Sequence, residues 1–165
     1  MKIGLLILDV DGVLTDGRLV YSEQGEQLKI FHVHDGLGIK AAQENDIQVA
    51  VISARDSAPL NRRLDDLGIV HRFLGCSDKL EAFESLLKTL DIKPDNVAYI
   101  GDDVIDLGVM RKVGFPIAVA NANGMVKAIA RHRTQLSGGE GAVREAIDFI
   151  LRQQIGLEKA YRKFL

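Results

Sequence analysis

Apolar residues along this chain fall into short unbroken runs, separated by longer stretches where they recur every three or four positions. The runs Ile3 to Leu8, Ile47 to Ile52, Val70 to Leu74, Val97 to Ile100 and Ile117 to Ala120 read as strands buried on both faces, as in a parallel sheet. Between and after them the spacing predicts helices over 36–45, 57–67, 79–90, 106–112, 124–130 and 141–153. Pro59 fits the first turn of the second helix, and Gly68 stops it. Asp78 or Ser77 can cap the third. Residues 133–136 are a candidate edge strand. This alternation predicts an α/β fold in one domain over residues 1–165: a doubly wound, Rossmann-like parallel sheet with right-handed crossovers and helices on both faces.

One insertion, about 18–33, breaks the alternation. Arg18 to Ser22 and Gln27 to Val33 read as a hairpin around Glu23-Gln24-Gly25-Glu26. Its Leu19, Tyr21, Leu28, Ile30 and Phe31 have no obvious cover in so small a domain, so the ribbon is expected to pair with other subunits. The tail, about 154–165, is basic and amphipathic, with Lys159, Arg162 and Lys163 on a solvated face.

Composition narrows the function classes. The net charge is −2 with both signs mixed, which gives no electrostatic case for nucleic acid or an anionic membrane. A single cysteine, Cys76, excludes an intramolecular disulfide and suits a reducing compartment. The first apolar run is too short, and too soon interrupted by Asp9, for a signal peptide or membrane span. The expected address is the cytoplasm.

The chemistry gathers where the strands end. In a doubly wound sheet, ligands bind beyond the carboxyl ends of the strands. There the chain has Asp9 and Asp11, then Ser53 and Arg55, then Asp102 and Asp103, with Lys79 opening a helix nearby. Asp9-Val-Asp11-Gly12 alone reads equally well as an acidic turn. Carboxylates converging from two strand ends instead suit a magnesium ion completed by water and phosphate oxygens. A lysine and a serine hydroxyl can cradle a transferred phosphoryl group. One carboxylate can attack phosphorus while the other protonates the leaving oxygen and later deprotonates water. A phosphoacceptor signalling domain also uses acids and a lysine on such a sheet, but it expects its aspartate where this chain has Ser53.

Asp9-Val-Asp11-Gly12-Val-Leu-Thr15, Ser53, Lys79 and Gly101-Asp102-Asp103-Val-Ile-Asp106 resemble, in order and spacing, the four motifs of the haloacid dehalogenase superfamily. That resemblance implies Asp9 as nucleophile and Asp11 as general acid/base. It implies Mg2+ on Asp9, the main-chain carbonyl of Asp11, and Asp102. Phosphate would lie on Ser53 and Lys79, with Asp103 and Asp106 orienting the site. The gaps between motifs have no room for a cap domain.

His32-Val-His34-Asp35-Gly36-Leu-Gly38 and Gly138-Gly-Glu140-Gly-Ala-Val-Arg144-Glu145 are similar to signature stretches of the 3-deoxy-D-manno-octulosonate 8-phosphate phosphatase branch, which acts in lipopolysaccharide synthesis. The branch implies a homotetramer joined through the hairpins, with a neighbour's tail near the site. Its substrate would lie among His32, His34, Asp35, Gly36, Lys40, Arg55 and Arg63. His32, His34, Leu37, Lys40 and Glu140 depart from the branch's usual residues, while Arg55 matches it. A related nonulosonate, another small phosphate ester, and a catalytically weak assembly domain stay open as alternatives.

Overall fold

The computed structural model describes residues 2–165. In chain order the strands are β1 (Leu5–Leu8), β2 (Val20–Ser22), β3 (Gly25–Leu28), β4 (Gln48–Ile52), β5 (His71–Phe73), β6 (Val97–Gly101), β7 (Phe115–Ala118) and β8 (His132–Arg133). The helices are α1 (Val33–Glu44), α2 (Ala58–Asp66), α3 (Lys79–Leu90), α4 (Leu107–Met110), α5 (Gly124–Ile129), α6 (Ala142–Gln154) and α7 (Leu157–Ala160). Six strands form one parallel sheet in the order β5-β4-β1-β6-β7-β8, while β2 and β3 pair only with each other. The chain thus moves outward on one side of β1, returns, and moves outward on the other. The switch point lies between β1 and β6.

Leu5, Leu6, Ile7 and Leu8 are all buried because β1 has strands on both edges and helices over both faces. Each such side chain contributes about 1.5–3 kcal/mol of transfer free energy. Leu8 pairs with Val51 of β4 and Ile100 of β6, so the residues after these positions emerge side by side at one sheet edge. Only the hairpin and α1 lie between β1 and β4, and only α2 and β5 between Ser53 and Lys79. Among the described residues there is no cap domain. Nor is any helix among them long and apolar enough to cross a membrane.

Several element bounds differ from the sequence expectations, β3 among them, which runs Gly25–Leu28 instead of 27–33. The first helix begins at Val33 rather than Gly36, and β3 ends at Leu28, so His32 lies outside the strand and His34 within the helix. His32 caps α1, its Nδ1 accepting the His34 N–H at 3.3 Å. Gly38, a poor helix former, is tolerated because α1 presses on α6: a Cβ there would lie 3.3 Å from the Arg144 Cα. β7 starts earlier, at Phe115, and the Pro116 carbonyl accepts from Arg131 N. The edge strand is cut to His132–Arg133, since the amides of Gln135 and Leu136 turn to the Glu145 carboxylate at 2.9–3.0 Å. The tail packs on its own chain. Asn45 Nδ2 donates to the Ala160 carbonyl, Tyr161 Oη donates to Asp148 at 2.5 Å, and Lys163 pairs with Glu44. Lys159, Arg162 and Lys163 stay exposed.

Candidate active site

The ends of β1, β4 and β6 open into a cavity of about 270 Å³ lined by Asp9, Asp11, Gly17, Leu19, Ser53, Ala54, Arg55, Asp102, Asp103 and Ile105. Asp9 continues β1, its N–H bonded to the Ile100 carbonyl of β6, so the sheet ladder itself sets its position. Ser53 continues β4 and is held between the Phe73 carbonyl and the Cys76 N–H. Lys79 opens α3, which Asp78 caps through bonds from Leu80 N and Glu81 N.

The buried Lys79 ammonium lies 2.7 Å from Asp9 and 2.8 Å from Asp106. Burial alone would lower its pKa, but the two carboxylates outweigh that and hold it above the usual lysine value. Asp106 is saturated. Its Oδ1 accepts from Lys79 and the Tyr99 hydroxyl, and its Oδ2 from the Asp102 and Asp103 amides. The Asp103 carboxylate caps the turn that carries Asp106, accepting Val104 N at 2.8 Å.

Carboxylate oxygens of Asp9, Asp102 and Asp106 all lie within 4.8 Å of one another. Desolvation, then the Asp106 charge, raises the Asp9 carboxyl to about 6. Desolvation, then Asp9 and Asp106, raises Asp102 to about 7. A cluster this short of positive charge fits a divalent cation with oxygen ligands. With all of Asp106 committed to protein donors, Asp9 and Asp102 are the carboxylates left to hold it. The Asp102 carboxylate also lies against the turn after β1, where a Cβ on Gly12 would come within 2.1 Å of Oδ2.

Asp11 lines the same cavity, with its carboxylate on Lys29 and Arg55. Its Oδ1 takes the Lys29 ammonium at 2.5 Å and its Oδ2 faces Arg55 Nε at 3.7 Å. Arg55 in turn donates to the Tyr21 hydroxyl at 2.9 Å, so both arms of the hairpin reach the site. The sequence points to no site role for Lys29, and it presents Tyr21 only as part of the apolar hairpin. The one available signal was a lone lysine between Leu28 and Ile30 in an otherwise apolar ribbon arm. Tyr99, one residue inside a buried strand, was missed in the same way.

The segment 138–141 is not a free turn. Gly139 N donates to the Val13 carbonyl, and a Cβ on Gly138 would fall 1.7 Å from the Gly12 carbonyl oxygen. Backbone lies directly on backbone there, and the glycines mould the loop that carries Asp11.

The other sequence candidates are not brought to this cavity within one chain. Asp35 is buried, raised in pKa by desolvation, and accepts Arg144 N at 2.8 Å, which ties α1 to α6. Arg63 donates to the His32 carbonyl beside Gly36, and Lys40 is exposed on α1. His34 opens onto a neighbouring groove that it shares with Glu140 and Arg144.

Clustered strand-end carboxylates, a buried lysine and a switch-point cavity define this as a site of the haloacid dehalogenase-like hydrolases, whose family model matches residues 74–147. Across 159 residues the chain is 49% identical to the 3-deoxy-D-manno-octulosonate 8-phosphate phosphatase of Escherichia coli strain K12, covering 96% of this chain and 85% of that protein. The Moraxella catarrhalis enzyme of that name, solved with magnesium, phosphate and 3-deoxy-D-manno-octulosonate (KDO), superposes with a TM-score of 0.94 at 41% identity, covering 99% of this chain and 94% of that one. The cobalt-bound Haemophilus influenzae phosphatase gives 0.92 at 45% identity over 98% and 97%. The chain belongs to the 3-deoxy-D-manno-octulosonate 8-phosphate phosphatase family.

Proposed function

We propose that this protein hydrolyses 3-deoxy-D-manno-octulosonate 8-phosphate to the free sugar acid and phosphate, as a magnesium-dependent cytoplasmic enzyme of lipopolysaccharide synthesis. The observation that carries the reading is the convergence of Asp9, Asp102 and Lys79 in the switch-point cavity, with Asp106 saturated behind them. An Asp9 oxygen attacks phosphorus, the P–O bond to the sugar breaks, and Asp11 delivers the proton to the departing alkoxide. Asp11 then takes a proton from water, whose oxygen attacks the aspartyl-phosphate and releases Asp9 with inorganic phosphate. Lys79 and Ser53 hold the phosphoryl oxygens. Magnesium, when bound by Asp9, Asp102 and the main-chain carbonyl of Asp11, supplies neutralisation of phosphate charge.

Arg55, on the cavity wall, meets the second anionic group of the substrate, its carboxylate. His32, His34, Asp35, Gly36, Lys40 and Arg63 complete substrate recognition only in the assembled protein, because none lines the cavity of a single chain. The assembly is a homotetramer joined through the hairpin, an inference supported by the exposure of Tyr21 (59%), Leu28 (59%) and Ile30 (71%). Residues 1–165 act as one catalytic domain.

A panel of phosphate esters with magnesium tests the assignment. The sugar-acid phosphate is expected to exceed simple esters by at least about tenfold in kcat/KM. Equal rates on every ester would overturn the choice of substrate, and turnover surviving Asp9→Asn would overturn the mechanism.

A further inference from the structure

We infer that Lys29 is a positioning residue for the Asp11 carboxylate, which makes the hairpin part of the catalytic apparatus. The inference rests on the reading of Asp11 as the acid/base. A carboxylate on a single methylene swings freely unless both oxygens are engaged, and here each meets a cation from a different element. Lys29 Nζ reaches Oδ1 at 2.5 Å from the segment after β3, and Arg55 Nε stands 3.7 Å from Oδ2 in the loop after β4. Neither cation comes from β1, and Lys29 comes from the hairpin, so the direction in which Asp11 points depends in part on how the hairpin lies over the sheet edge.

The contact differs from an ordinary surface ion pair. The Lys29 side chain is 1% exposed and Asp11 22%. An ammonium withdrawn from water to this degree is strongly destabilising unless it is paired, and Asp11 Oδ1 supplies such a partner where the hairpin meets the sheet edge. The Tyr21 hydroxyl on Arg55 ties the other arm to the same point. With its ammonium buried on Asp11, Lys29 affects turnover and leaves substrate capture to groups on the cavity wall.

The test compares Lys29→Met, Lys29→Arg, Asp11→Asn and the double variant Asp11→Asn with Lys29→Met, in the purified full-length protein with magnesium. Two substrates are used: the sugar-acid phosphate and p-nitrophenyl phosphate. Lys29→Met is expected to lower kcat by roughly 10–100-fold on both esters with KM little changed, the size that follows from misplacing a reacting group by about 1 Å. Lys29→Arg, which keeps a charge at a shifted position, should fall between wild type and Lys29→Met. In the Asp11→Asn background the methionine should cause no further loss.

A rise in KM at constant kcat would overturn the inference in favour of a substrate anchor. The same fractional loss in the presence and absence of Asp11 would overturn it in favour of a purely structural role. Should Lys29→Met fail to fold, Lys29→Arg decides: an intermediate kcat supports the inference and a wild-type kcat overturns it. Wild-type turnover by Asp11→Asn would instead remove the acid/base reading itself. An inactive Asp11→Asn beside a fully active Lys29→Met would remove only the role of Lys29.

Discussion

The sheet edge and the hairpin above it are built on opposite principles. At the edge, Asp9, Lys79, Tyr99 and Asp106 are all buried, and each is held by a strand end, a helix start or a saturated carboxylate. The hairpin consists of two short strands paired only with each other, with Val20, Tyr21, Leu28 and Ile30 turned to solvent. Such a ribbon is marginal by itself. It is held by a buried lysine on Asp11 and by a tyrosine on Arg55, and its apolar face has nothing over it within one chain. The proposed nucleophile is therefore fixed by the core, and the proposed proton carrier is held by a part whose own footing is light.

The sharpest way to break this contrast is to remove the saturated carboxylate. Asp106→Ala strips the acceptor from Lys79, Tyr99 and two amides at once. A loss of about 3–5 kcal/mol in denaturant unfolding is expected, as for a broken buried pair, together with loss of turnover. An unchanged unfolding midpoint would show the edge to be less rigidly built than its bonds indicate.

Next in size is the response to magnesium. In the cation-free protein, Asp9 and Asp102 titrate near 6 and 7, above the usual 3.8. Their protonated forms thus favour the folded state. That contribution is fully present below 3.8 and is lost as pH rises through 6 and 7, leaving unrelieved repulsion at pH 8. Magnesium at about 100 times its dissociation constant should raise the melting temperature by roughly 5–10 °C at pH 8 and by much less at pH 5. Equal shifts at the two pH values would contradict the carboxylate assignment, and excess chelator should abolish turnover until magnesium is restored.

The smallest effect on the chain itself is expected from Leu28→Glu with Ile30→Glu. The change in unfolding free energy should stay within about 0.5 kcal/mol per site, as at exposed positions. Light scattering should nevertheless show the proposed tetramer dissociating. A tetramer that survives both charges would locate the subunit contact elsewhere.

Much of the sheet could be read directly from the chain, because runs such as Leu5–Leu8 and Val97–Gly101 are buried on both faces and carry no competing pattern. Strand ends then bring Asp9, Ser53 and Asp102 to one side by register alone. The start of α1 was hidden because its first turns hold two glycines and a histidine cap, all weak helix signals, and packing against α6 decides the matter. Lys29 was hidden for a different reason. Its role depends on the hairpin folding back over β1, and no local periodicity encodes that return. The shortened edge strand likewise turns on Glu145, a residue from a helix whose approach is set by the whole fold.

The seating of Gly138 and Gly139 on the Gly12–Asp16 backbone also orders events in time. The loop bearing Asp11 is synthesised well before the segment that moulds it. A growing chain holds its aspartates for most of that interval without the counter-surface that shapes them. The turn around Asp11 takes its final shape only once the segment preceding α6 has been made.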